Sequence, residues 1–223
     1  MKTLHALLIA ITLAALMSPV ANAQTTPTTT AEGNNELRAL LATPGDAVRG
    51  KKAFSTCEGC HRKNASGRSD GTIPRLTGQH SSVIAKQVLD IRADRRNNPS
   101  MQPFVVDPAF TMAKLADIAA YLQSLPFEGS IGKGPGKDLS LGKQLYERDC
   151  AYCHGANGAG DPAKFNPIVA AQHYRYLLRE VTAIRDGSRG NSNAEMVKVV
   201  QPYTPAEIDA VSDYMSQMAP TRP

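Results

Sequence analysis

The sequence predicts an all-α protein built by tandem duplication of one small domain. Two observations lead there. First, residues recur at an offset of 93: Asn64 with Asn157, Gly67 with Gly160, Pro74 with Pro167, Gln79-His80 with Gln172-His173, Ile91 with Ile184, Arg96 with Arg189, Leu115 with Ile208, Ile118 with Val211 and Tyr121 with Tyr214. Self-similarity at that period marks two copies of a domain and not a solenoid of short units. Second, apolar residues recur at a helical spacing of three to four, and no run alternates as a half-buried strand would.

Taken in order, residues 1–23 read as a secretory signal peptide. Lys2 gives a positive start, the chain is apolar from Leu4 to Met17, and Ala21-Asn22-Ala23 is a small-x-small cleavage site. An uncleaved anchor is the alternative; no later apolar run approaches the ~20 residues that span a bilayer. The expected location is the periplasm, with peripheral membrane association left open. Residues 24–35, rich in Thr, Asn and Gly, read as a disordered leader. The first domain covers 36–125, a Gly/Pro-rich linker 126–140, and the second domain 141–223.

Inside the first copy, Asp46 can cap a helix running through Gly50 and Phe54; Ser140 can cap its counterpart through Gly142 and Tyr146. Middle helices are expected over 81–93 and 174–186, and closing helices over 111–125 and 205–218, with polar loops between them.

The two copies are organised around Cys57-Glu58-Gly59-Cys60-His61 and Cys150-Ala151-Tyr152-Cys153-His154. Each is a C-x-x-C-H sequence, the attachment signal for a c-type haem. Two thiols at this spacing add across the vinyl groups on one porphyrin edge, and the adjacent imidazole binds iron from the proximal side. The motifs use all four cysteines of the chain, so the disulfides usual in an exported protein are not expected. Zinc binding is the alternative that ligand type alone leaves open. Two covalently bound haem c groups are therefore the expected cofactors, with Cys57, Cys60, Cys150 and Cys153 holding them and His61 and His154 on the irons.

The second axial ligand decides the chemistry. Met101 lies forty residues after His61 and Met196 forty-two after His154, both in the polar stretch before the closing helix. A thioether there raises the potential, as an electron carrier requires. Met112, Met215 and Met218 have no methionine at the repeat position and read as core. His80 and His173 repeat in register and are the rival ligands; their place at a helix start suits a solvated or hydrogen-bonded role.

At this point the chain resembles the cytochrome c4 family, di-haem proteins made of two fused class I cytochrome c-like domains. The likeness covers nearly all of the chain after the leader. It rests on Gly50-x-x-x-Phe54 and Gly142-x-x-x-Tyr146, on Pro74-x-Leu76-x-Gly78-Gln79, and on Arg96, Met101 and Tyr121. The resemblance implies that the first and last helices of each domain cross closely at the glycine. It also implies that the Pro74 and Pro167 carbonyls accept the proximal imidazole N–H, which tunes ligand basicity. Arg96 and Arg189 are left between propionates, helix ends and a surface role. The second copy departs at Ala171, where the first has Gly78, and at Ile168-Val169-Ala170, where the first has Arg75-Leu76-Thr77.

The net charge of +5 falls to +4 without Lys2. With scattered basic residues and no Trp, a nucleic-acid partner is rejected, and four haem propionates bring the holoprotein near neutrality. The expected function is single-electron transfer and not catalysis, since two Met/His irons leave no open site. The family likeness implies redox protein partners, a quinol–cytochrome c reductase and a terminal oxidase. The alternative is the electron-accepting subunit of a periplasmic dehydrogenase, for example for sulfur compounds.

Overall fold

A computed structural model describes residues 29–220; the expected signal peptide lies outside them. The chain folds as two helical domains of the same plan. The first contains α1 (Thr29–Ala42), α2 (Ala47–Phe54), α3 (Glu58–His61), α4 (Ser81–Arg92), α5 (Gln102–Val105) and α6 (Met112–Ser124). The second contains α7 (Leu139–Leu145), a π-helical turn (Tyr146–Cys150), α8 (Ala151–His154), a 3-10 turn (Pro162–Lys164), α9 (Tyr174–Arg185), α10 (Ala194–Val200) and α11 (Pro205–Gln217). Among the described residues the only strand-like pairing is an isolated bridge, Asp161 with Asn166.

Each domain is built on the crossing of its first and last repeated helices. A Cβ on Gly50 would lie 2.0 Å from the Asp117 carbonyl oxygen, and one on Gly142 would lie 2.2 Å from that of Ala210. Only glycine lets the two backbones approach this closely. Beside the crossing, Phe54 meets Tyr121 and Tyr146 meets Tyr214, both with ring centroids 5.7 Å apart and tilted by 53°. The crossing partners Asp117 and Ala210 keep the 93 offset, whereas Gly50 and Gly142 are 92 apart. The extra residue before the second cysteine motif is absorbed by the π-helical turn, the usual way a helix accommodates one inserted residue.

Four elements differ from expectation. Helix α1 begins at Thr29, inside the stretch 24–35 expected to be disordered. Its Leu40 is 3% exposed and packs with Leu37 against Ala85, Leu89, Leu115 and Ala116 of α4 and α6; this apolar edge anchors a helix whose polar start obscured it. Helix α7 starts at Leu139 with Asp138, not Ser140, at the cap position; Asp138 thereby matches Asp46, which does cap α2 through Val48 N and Arg49 N. The short helices α5 and α10 occupy stretches expected to be loop.

The domains face each other across a pseudo-two-fold interface. The Gln172 side chain accepts from Arg75 N (2.9 Å) and donates to Arg75 O (2.9 Å); Gln79 does the same to Ile168 N (3.0 Å) and O (3.1 Å). Arg75 and Ile168 are repeat partners, as are the two glutamines. The linker is fastened as well: Gly134 N donates to Ser216 Oγ (3.0 Å) and Gly136 N to Asp213 Oδ2 (2.6 Å).

Candidate haem sites

Each C-x-x-C-H motif forms a single helical turn. In the first, Cys57 stands at the cap of α3 and its carbonyl accepts from His61 N (3.0 Å). A left-handed backbone follows each histidine, at Arg62 (φ 66°) and Gly155 (φ 78°), and ends the turn. Cys57 is half-buried and Cys150 buried, while Cys60 and Cys153 lie at the surface; none forms a disulfide. Before haem attachment, burial pushes the Cys57 thiol up and the Cys150 thiol up to about 12, because it disfavours the charged form.

The donor set fits an iron porphyrin. His61 and His154 are buried, 7% and 9% exposed. The Pro167 carbonyl lies 3.1 Å from His154 Nδ1, so Nδ1 carries the proton and Nε2 keeps its lone pair. In the first domain the Pro74 carbonyl pulls the His61 pKa up as a weak acceptor, its geometry too poor to satisfy the buried Nδ1. Burial lowers the pKa of both histidines, the proline carbonyls opposing it; both imidazoles are thus held neutral, as metal ligands must be. Among the described residues the Cys and His groups do not converge on one point as a zinc site's would.

Ala171 resolves the apparent departure of the second loop. It adopts the left-handed conformation (φ 57°) that Gly78 adopts (φ 71°). The backbone bonds also match, Gly78 N to Leu122 O (2.9 Å) and Ala171 N to Met215 O (3.1 Å).

Both candidate distal methionines are half-buried. Met101 caps the short helix α5, but Met196 lies on α10 against the second core and not in a loop. The argument that loop position separates a ligand from a core methionine therefore does not apply to Met196. A different local device is common to the two. Met101 N donates to Asn98 Oδ1 (3.2 Å) and Met196 N to Asn193 Oδ1 (3.4 Å), so an asparagine three residues upstream fixes each methionine's backbone. The repeated Asn-x-x-Met was visible in the sequence.

His80 and His173 are 2% and 0% exposed, not solvated. His80 Nε2 lies 2.8 Å from the Ala159 carbonyl and His173 Nε2 2.8 Å from that of Ser66; the acceptors are again repeat partners. His173 Nδ1 also accepts from Gly132 N (3.0 Å), so its proton sits on Nε2. Both rings serve the domain interface. So do Arg96 and Arg189. Arg96 donates to Gln87 Oε1 (2.9 Å) and Glu180 Oε2 (2.9 Å), and Arg189 donates to the same two atoms, each at 3.0 Å. The side chains of both arginines are largely buried, 12% and 18% exposed, which removes the surface role.

Two helical domains, each closing around a C-x-x-C-H turn with a buried histidine, define a di-haem c-type cytochrome. The cytochrome c family profile matches residues 47–126 and again 139–219. A thiosulfate dehydrogenase electron acceptor of Stutzerimonas stutzeri (strain A1501) is 31% identical over 80% of this chain and 90% of that protein. Cytochrome c4 of Pseudomonas aeruginosa is 28% identical over 80% of this chain and 92% of its own. The crystal structure of reduced cytochrome c4 from Pseudomonas stutzeri superposes with a TM-score of 0.70 at 26% identity, covering 78% of this chain and all of that one. The chain belongs to the cytochrome c family and, within it, to the di-haem cytochromes c4. It is an electron-carrying cytochrome with two covalent haem c groups.

Proposed function

We propose that this cytochrome is a periplasmic single-electron carrier whose two irons are both coordinatively saturated. Cys57 and Cys60 attach the first haem, with His61 and Met101 as axial ligands; Cys150 and Cys153 attach the second, with His154 and Met196. When bound, each haem supplies a one-electron ferric/ferrous couple. The protein's part is to bury the imidazoles, fix the tautomer of His154 through the Pro167 carbonyl, and present a thioether from the opposite side. The observation that carries the reading is the asparagine side chain that accepts from each methionine amide three residues downstream. The same local device recurs in both domains, holding each methionine in the stretch before the closing helix.

In a respiratory chain the carrier takes electrons from a quinol–cytochrome c reductase and delivers them to a terminal oxidase. A second reading, acceptor to a periplasmic dehydrogenase, is favoured by the likeness to the Stutzerimonas stutzeri thiosulfate dehydrogenase electron acceptor. Among the described residues no helix is long and apolar enough to cross a membrane.

The purified protein is expected to show two low-spin haems, a near-infrared methionine–ferric band and no carbon monoxide binding when reduced. Met196→His should lower the potential of the second haem alone. A high-spin, ligand-binding haem, or an unchanged potential in that variant, overturns the ligand assignment.

A further inference from the structure

Among the described residues Arg75 is a buried cation with no carboxylate partner. It is 4% exposed, and its guanidinium donates only to main-chain carbonyls of the linker: Nη1 to Glu128 O (3.1 Å), Nη2 to Gly129 O and Ser130 O (each 3.4 Å). Its Nε is buried with no partner. No carboxylate pairs with it among the described residues, and burial alone moves its pKa, downwards. Isolated buried charge is costly, and a side chain that keeps one without compensation calls for a reason.

Its surroundings belong to the first haem site. Arg75 follows Pro74, whose carbonyl acts on the proximal His61. Its Cζ lies 5.8 Å from the centroid of the Phe127 ring, and that ring packs on Gly78 of the same proximal loop. The second domain has neither member of the pair: Ile168 stands where Arg75 does, and Pro220 where Phe127 does. The reciprocal glutamine bonds use only the backbone of Arg75 and Ile168, so the interface itself places no demand on a cation here.

We propose that Arg75 selectively raises the reduction potential of the first haem. The inference rests on the two-haem carrier described above. Each reduction adds one electron and removes one unit of positive charge from the site, so a fixed cation in a low-dielectric position disfavours the ferric form. Nothing at residue 168 does the same for the second haem. At equilibrium the electron of a half-reduced molecule is therefore drawn towards the first domain.

The test is a potentiometric titration of the holoprotein with each haem resolved by NMR, on Arg75→Met, Arg75→Gln and Arg75→Lys. The neutral variants should shift the first haem's ferric-to-ferrous ratio about tenfold towards ferric, a fall of about 59 mV for one electron. The second haem should move by much less, and Arg75→Lys should retain most of the native value. Equal falls in the neutral and lysine variants would assign Arg75 to fastening the linker and overturn the proposal. Equal shifts at both haems, or none, overturn it too. Two low-spin spectra retained in all three variants separate these outcomes from a failure of the coordination assignment. The glutamine variant, which keeps hydrogen-bond donors for the linker, covers the case in which the methionine variant does not fold.

Discussion

Four buried histidines carry two kinds of work, and the difference lies in which nitrogen the protein has already engaged. In His154 a proline carbonyl holds Nδ1 and leaves the Nε2 lone pair unengaged, as the proposed iron ligation requires; in His173 both nitrogens are used by the fold. His173 is accordingly sensitive to acid. Burial and the nearby cations Arg75 and Arg62 hold its pKa below 6.5, against the pull of the Ser66 carbonyl and Asp70. The unfolded chain binds a proton at this residue near 6.5 while the folded one does not. Its contribution to stability is therefore full above pH 6.5 and is lost as the pH falls below it, by up to about 1.4 kcal/mol per pH unit. Thermal midpoints between pH 7.5 and 5.5 should fall less in His173→Gln than in the native protein; parallel curves would exclude the histidine. Register alone could flag these residues but not sort them. Gln79-His80 and Arg96 recur because each acts twice across the interface, and a repeat offset records that a residue matters in both copies without saying what it touches.

The elements divide by how strongly local chemistry marks them. The middle and closing helices were legible to within a residue or so, because their apolar faces repeat and their caps are explicit: Thr111 and Thr204 both cap, the latter with Glu207 in a capping box. Helix α10 was hidden by its own cap, since Asn193 reads equally well as loop. Helix α1 was hidden by composition, because Thr, Asn and Gly at 24–35 outweighed the few leucines that follow. Those leucines hold it in place. Leu40→Ala removes a side chain that is 3% exposed and should cost roughly 2–4 kcal/mol. The loss should appear as earlier chemical unfolding of the first domain, with protection of α11 amides from exchange unchanged; a uniform loss would mean that the domains unfold only together. The π-helical turn was not anticipated, although its trace is in the sequence. An offset of 92 at the glycines and 93 at the cysteines announces one inserted residue.

At the scale of the molecule, charge divides unevenly between halves that share a backbone plan. Residues 36–125 hold thirteen basic and eight acidic side chains, and 141–223 hold nine of each. Around the first cysteine motif Lys51, Lys52, Arg62, Lys63 and Arg68 are exposed and make no ion pair among the described residues. Around the second, Lys143 pairs with Glu147 (3.5 Å) and Arg148 with Asp149 (2.6 Å). An anionic oxidant such as ferricyanide should thus be steered to the first domain, at a rate that falls with ionic strength. In stopped-flow measurements, Lys51→Glu should slow that oxidation more than Lys143→Glu does, although each changes the net charge by the same two units. Equal slowing would show that net charge alone governs the rate.

The mirrored glutamine and histidine contacts have a consequence for inheritance. In a symmetric homodimer one codon writes both halves of every contact, so a single change strikes twice. Joined in one chain, the halves are written separately: a lesion in Gln79 leaves the bonds of Gln172 to the other backbone standing. Duplication has freed each copy to diverge under the other's cover, as the arginine and the isoleucine at equivalent places already have.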